Sequence, residues 1–184
     1  MIFQSILGQT PSHPLIPEAK YQKLERGHGD AGIYQTVSIM KKIKDEYREK
    51  PWVIELARKI VTDRNAITEP EQMEAAFDWI KGPEGKPNIF YVKDPYDVEL
   101  IQKPEVTVRM RTGDCDDHAI MSASLVEALG IPTKFRITSY KPTKNFQHVY
   151  TVASHGGQWY PLDTTLPGKP FGYEKKPYTR MEDV

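Results

Sequence analysis

One cysteine, Cys115, stands in a chain of 184 residues. A lone cysteine excludes an internal disulfide and favours a reducing compartment. An excess of charge of one sign is also missing: 25 Lys and Arg balance 25 Asp and Glu. That balance removes the electrostatic case for nucleic acid or an anionic membrane as the main partner. No apolar run nears the roughly 20 residues that cross a bilayer. The opening stretch, MIFQSILGQTPSH, has a short apolar patch but neither a basic region nor a small-residue cleavage site, so no signal peptide is expected. Internal repeats, low-complexity tracts, CxxC and HxxxH spacings and a glycine-rich phosphate loop are all absent. No metal and no cofactor are therefore expected.

What is present suits a packed domain. Hydrophobic residues make up 39% and charged residues 27%, enough apolar surface to build a core. Residues 1–30 carry Pro11, Pro14, Pro17, Gly27 and Gly29 without a sustained period and read as an extended N-terminal arm, with one short helical turn near Glu18 to Leu24. Three helices follow. Ile33, Val37, Met40, Ile43 and Tyr47 step by four and three. Pro51 opens a second stripe of Val53, Leu56, Ala57, Ile60 and Val61. Thr68 and Glu71 form a capping-box pattern ahead of Met73, Ala76, Phe77 and Ile80. Residues 86–112 show no clear period; Ile89 to Val92 reads as short and extended, and Asp94-Pro95 as a turn.

The run from Cys115 to about Leu129 is apolar on nearly all sides, which predicts a centrally buried helix ended by Gly130 and Pro132. Three strands are expected after it, at Thr133 to Tyr140, Phe146 to Ala153 and Gln158 to Asp163. Helices first and antiparallel strands last predict an α+β fold. Residues 31–166 form the expected domain, and 167–184 an irregular C-terminal tail.

Cys115, His148 and Asp163 are the candidate catalytic residues. Thr112, Gly113 or Asp114 can each cap the helix, which puts Cys115 in its first turn. There the unpaired N–H groups and the positive end of the dipole favour a thiolate and can hold an oxyanion. Asp114, Asp116 and Asp117 oppose that ionisation, so a positive partner is needed, and His148 is the candidate. A hairpin is expected around Ala153 to Gln158. A four-residue loop puts His148 opposite Asp163; a two-residue loop makes them diagonal neighbours on one face; a three-residue loop separates them. Asp163 would fix the tautomer of His148. The plainer readings are a small core cysteine, a half-buried strand histidine and an aspartate capping a turn with Thr164 and Thr165. His118 lies one helical turn from Cys115 and is poorly placed to be its base. A metal site from Cys115, Asp116, Asp117 and His118 is disfavoured, because sequential residues cannot all face one ion.

On these residues the chain resembles the transglutaminase-like superfamily, a branch of the papain-like thiol enzymes. The motifs are Gly113-Asp114-Cys115-Asp116-Asp117-His118-Ala119, then Ala128-Leu129-Gly130-Ile131-Pro132, His148-Val149-Tyr150, and Trp159-Tyr160-Pro161-Leu162-Asp163-Thr164-Thr165. The upstream Trp79, Tyr91 and Asp94-Pro95 look like bacterial and phage members. The resemblance implies a papain-like fold, with the cysteine helix packed on an antiparallel sheet. It implies a thioacyl-enzyme on Cys115, with His148 as base and then acid. Tyr91 and Asn88 are the candidates for a further oxyanion donor. The expected activity is cysteine-dependent acyl transfer or hydrolysis of amide or isopeptide bonds, as in a peptidase, amidase or transglutaminase. The expected partners are a protein or peptide substrate and a phage or bacterial protein, located in the cytoplasm or a phage virion. The alternative is a catalytically inactive binding or assembly module, phage-associated. A coenzyme A thioester acyltransferase shares the residue order but lacks support from any phosphate-binding loop or basic cluster.

Overall fold

The computed structural model describes residues 27, 29–83, 85–95, 99–142 and 145–184. The arm expected over residues 1–30 lies outside them, apart from Gly27, Gly29 and Asp30. The three predicted helices are α1 (Asp30–Tyr47), α2 (Pro51–Asp63) and α3 (Glu69–Lys81). Each apolar stripe turns inward: Val37, Met40 and Tyr47 are buried on α1, Val53, Ala57 and Ile60 on α2, and Met73, Ala76, Phe77 and Ile80 on α3. The capping box of α3 is formed, with the Thr68 N–H donating to Glu71 Oε2 at 2.8 Å and the Glu71 N–H donating back to Thr68 Oγ1 at 3.4 Å.

The aperiodic segment holds more order than its sequence predicts. A two-residue strand, β1 (Phe90–Tyr91), pairs in parallel with β2 (Thr112–Gly113). Between them lies α4 (Pro104–Met110), one and a half to two turns started by a proline. Arg111 closes α4 in the left-handed region at φ 56°, and its guanidinium donates to the carbonyls of Pro87 and Asn88.

Helix α5 (Cys115–Ala128) is the centre of the fold. Its Met121, Leu125 and Val126 belong to a core shared with α2 and α3. Its Ala119, Ile120 and Ala123 belong to a second core with α1 and the sheet. This is the physical meaning of its uniform apolar sequence: the helix has no solvent face over those residues.

The sheet follows as β3 (Thr133–Ser139), β4 (His148–His155), β5 (Gln158–Leu162) and β6 (Arg180–Asp183), in the spatial order β5-β4-β3-β6, all antiparallel. Strand β6 corrects the expectation of an irregular tail throughout 167–184. Its apolar content is too low to announce a strand. Backbone pairing to β3 holds it and side-chain charge adds to that: Arg136 on β3 donates to Asp183 at 2.5 and 2.7 Å, and to Glu174, ahead of the strand, at 2.6 Å. Among the described residues no helix is long and apolar enough to cross a membrane.

Candidate active site

The hairpin between β4 and β5 has the two-residue loop. Gly156 and Gly157 both take positive φ, 58° and 79°, as a tight turn of the primed type demands. Thr151 then pairs with Leu162, so the next residue, Asp163, comes level with Tyr150 and diagonal to His148. The side chains meet: His148 Nε2 lies 2.8 Å from Asp163 Oδ2.

Asp163 is 3% exposed. Burial by itself would raise its pKa. The hydrogen bond and charge of His148, with the Thr165 hydroxyl and N–H, more than offset burial and hold the carboxyl below its usual range. Thr165 Oγ1 and N donate to Oδ1 at 2.6 and 3.2 Å. An ionised carboxylate only accepts, so His148 Nε2 carries the proton and its other nitrogen, Nδ1, is the basic one in the neutral ring. The rings of Tyr140 and Tyr150 flank the imidazole, with centroids at 6.3 and 5.6 Å. The aspartate thus serves the turn with Thr165 and the imidazole together.

Cys115 is the first residue of α5, and Asp114 is its cap. The cap is reciprocal. Asp114 accepts from the Asp116 N–H at 3.1 Å, and its own N–H donates to Asp117 Oδ2 at 3.2 Å. Asp117 also receives the Gln102 N–H at 2.7 Å and Gln102 Nε2 at 2.9 Å, which ties the segment before α4 to the helix start. Gly113 is required by closeness. A Cβ there would lie 2.6 Å from Asp117 Cβ.

The N–H groups of Asp116, Asp117 and His118 are engaged by Asp114 Oδ1, Asp116 Oδ1 and the Asp114 carbonyl. Of the first-turn donors expected to face an oxyanion, this leaves the N–H of Cys115. The thiol itself departs from expectation. Burial pushes its pKa well up, Asp114 and Asp116 push in the same direction, and the N–H of Val149 aimed at the sulfur only partly opposes them. The resting group is a protonated thiol, held so by burial first and by the charges of Asp114 and Asp116 after it.

Cys115, His148, Val149 and Tyr91 line one cavity of about 450 Å³. Tyr91 is brought to the site; burial first, and then the proximity of Cys115, push its phenol up to about 12, so it stays a donor. Asn88 is not brought there. Its Nδ2 donates to the Trp79 carbonyl at 2.6 Å, closing the turn after α3. His118 is buried and its Nδ1 lies 2.8 Å from Thr164 Oγ1. Burial lowers its pKa to about 4, so it is a neutral pin between α5 and the loop after β5. Asp114, Asp116 and Asp117 each bring a carboxylate oxygen within 4.8 Å of the others.

Several cavity residues carried no signal in the sequence. Ile33, Val37 and Met40 read only as a core stripe, yet they reach the cavity from α1. Lys93 and Glu99 come from the aperiodic segment and also line it.

The family described as the Transglutaminase-like superfamily matches residues 54–164. No curated protein matches. A candidate cysteine protease from Cytophaga hutchinsonii has a solved structure that aligns with a TM-score of 0.47 at 19% identity, covering 72% of this chain and 50% of that one. A candidate protease from Parabacteroides distasonis aligns with a TM-score of 0.54 at 14% identity, covering 73% of this chain and 27% of that one. This chain therefore spans half or less of either neighbour, and the second alignment establishes a shared fold.

Proposed function

The chain belongs to the transglutaminase-like superfamily, and on that premise we propose that it is a thiol enzyme that cleaves or transfers acyl groups at amide or isopeptide bonds of a protein or peptide. The observation that carries this reading is the His148–Asp163 hydrogen bond, 2.8 Å, in a cavity that His148 shares with Cys115.

Because the thiol rests protonated, His148 acts first as a general base. Nδ1 takes the proton as Cys115 Sγ adds to the substrate carbonyl. Asp163 stabilises the imidazolium that results. The oxyanion of the tetrahedral intermediate accepts from the Cys115 N–H and the Tyr91 hydroxyl. When the intermediate collapses, the imidazolium returns its proton to the leaving amine and a thioester remains on Cys115. Water or a second amine, deprotonated by His148, then attacks the thioester and regenerates the thiol.

The test uses a p-nitrophenyl acyl ester, whose leaving group makes no demand on a specific peptide. Expected are a burst of p-nitrophenol and an acyl adduct on Cys115 in the intact mass, released by hydroxylamine. Cys115→Ala abolishes the adduct, and His148→Ala slows acylation by about 10²- to 10⁴-fold. Added alkylamine distinguishes transfer from hydrolysis by the amide it forms. The competing reading, a binding or assembly module without turnover, draws support from the raised thiol pKa. It replaces the enzyme reading if no adduct forms, or if the adduct forms equally fast in His148→Ala.

A further inference from the structure

His118 is a buried titratable side chain to which the mechanism above gives no part. It sits on α5 one helical turn past Cys115, so the backbone that places the thiol also places its ring. The ring is buried and neutral. On one side, Nδ1 lies 2.8 Å from the Thr164 hydroxyl, and Thr164 directly follows Asp163. Of the two threonines after Asp163, Thr165 holds the carboxylate and Thr164 ties the loop to α5. On the other side, Nε2 closes no hydrogen bond among the described residues, yet the Phe90 carbonyl favours a proton on the ring. A neutral imidazole has one donor and one acceptor nitrogen. With the proton on Nε2, Nδ1 accepts from the Thr164 hydroxyl. The Tyr91 ring packs against the imidazole, with centroids 6.1 Å apart. Strand β1 is two residues long, and Phe90 and Tyr91 are 43% and 49% exposed, so apolar burial contributes little to holding it.

We infer that His118 is a positioning residue of this active site: from the helix that carries Cys115, it sets the places of Asp163 and of the Tyr91 hydroxyl relative to the thiol. The inference rests on the enzyme reading above. It has two separable halves. The contact of Nδ1 with Thr164 acts through Asp163 on the imidazole of His148. The ring face acts through Tyr91 on the oxyanion. Both halves matter because a base and an oxyanion donor contribute fully only when held in the productive geometry.

Two reactions at Cys115 of the full chain separate the halves. Acylation by p-nitrophenyl acetate forms an oxyanion; alkylation by iodoacetamide uses the same thiol and base and forms none. His118→Asn keeps an acceptor near the place of Nδ1 and removes the ring. It is expected to slow acylation about tenfold or more while alkylation stays within about twofold. Tyr91→Phe is expected to show the same selectivity, and adding His118→Asn to it to slow acylation by no more than about a further twofold. His118→Phe keeps a ring against Tyr91 and loses the Thr164 contact, and Thr164→Val loses that contact from the other side. Both are expected to slow the two reactions together, by about threefold to tenfold. Nitrogen-15 shifts of the His148 imidazole distinguish its two tautomers. They are expected to move in His118→Phe and Thr164→Val and to stay in place in His118→Asn. Equal loss of both reactions in His118→Asn, or losses that multiply in the double variant, assign His118 to packing alone and overturn the inference. His148 shifts unmoved by both His118→Phe and Thr164→Val overturn it too. Thr164→Val leaves α5 unaltered and decides the matter if a His118 variant fails to fold: full rates and unmoved shifts overturn the inference. A chain that gives no burst before any substitution removes the enzyme reading. His148 shifts that still respond to Thr164→Val then leave the positioning of Asp163 standing, and shifts that do not respond overturn it.

Discussion

Asp114 and Asp116 stand on either side of Cys115 in the chain, and their charge acts on the thiol behind the larger effect of its burial. Both raise the Cys115 pKa in addition to burial. A free cysteine titrates near 8.5, so the pH-dependence of alkylation should show its limb above that value in the native protein. Removing one of the carboxylates removes a term that raises the pKa, so Asp116→Asn should move the limb to lower pH and speed alkylation at pH 8. Iodoacetamide rates across pH 6 to 10 check this, and an unmoved limb would mean that the Asp116 carboxylate carries no charge near the sulfur. The three candidate catalytic residues were legible because each is chemically singular at its place: the one cysteine, at a helix start, a histidine at the start of a strand, and an aspartate one residue past the end of the next strand. Asn88 was not. Nothing in the sequence says that a carbonyl of α3, that of Trp79, lies closer to it than the site does.

Helix α5 and the hairpin were readable because each has one dominant signal: unbroken apolar sequence in the first, Gly156-Gly157 in the second. The alternatives for the loop resolved in favour of the shortest, since two adjacent glycines at positive φ complete a turn that leaves no residue over. Helix α4 escaped because seven residues give too few turns to establish a period. Strand β6 escaped because backbone pairing and charge, rather than apolar burial, fix it. That origin makes a prediction at the level of the element. Arg136 carries the side-chain ion pairs to Asp183 and Glu174, and its own side chain is 11% exposed. Arg136→Met leaves Asp183 partly buried without its cation and Glu174 with Lys176 as its ion-pair partner, and should cost about 3–5 kcal/mol. Denaturant titration measures the loss, and hydrogen exchange should place it in β6, where the amides of Arg180–Asp183 exchange sooner. Unchanged protection in β6 would show that backbone pairing to β3 suffices to hold the strand.

At the scale of the molecule, the two apolar clusters share α5, so neither can melt while the other keeps its packing. Ile120→Ala empties space in one cluster and Leu125→Ala in the other. Both side chains are fully buried, and each change should cost about 2–5 kcal/mol. Both variants should still unfold in one transition. Tryptophan fluorescence, which reports on Trp52 and Trp79 packed against the first cluster and on Trp159 in β5, should coincide with far-ultraviolet circular dichroism. Separate midpoints would divide the protein into two folding units. The order of elements was enough to anticipate an α+β architecture, because helices that precede a run of strands leave few ways to cover one sheet. The way α1 reaches the cavity was not legible, since a stripe of Ile33, Val37 and Met40 looks the same whether it meets a core or a cleft.

The cap at the start of α5 has an evolutionary consequence. Asp114, Asp117, Gly113 and Gln102 hold the helix start through contacts in which the sulfur takes no part. Selection on the fold therefore preserves most of the Gly-Asp-Cys-Asp-Asp signature whether or not the thiol reacts. A descendant could exchange Cys115 for serine or alanine, keep its architecture and persist as a binding protein. Within such a lineage the aspartates record ancestry, and the cysteine alone records whether chemistry is still under selection.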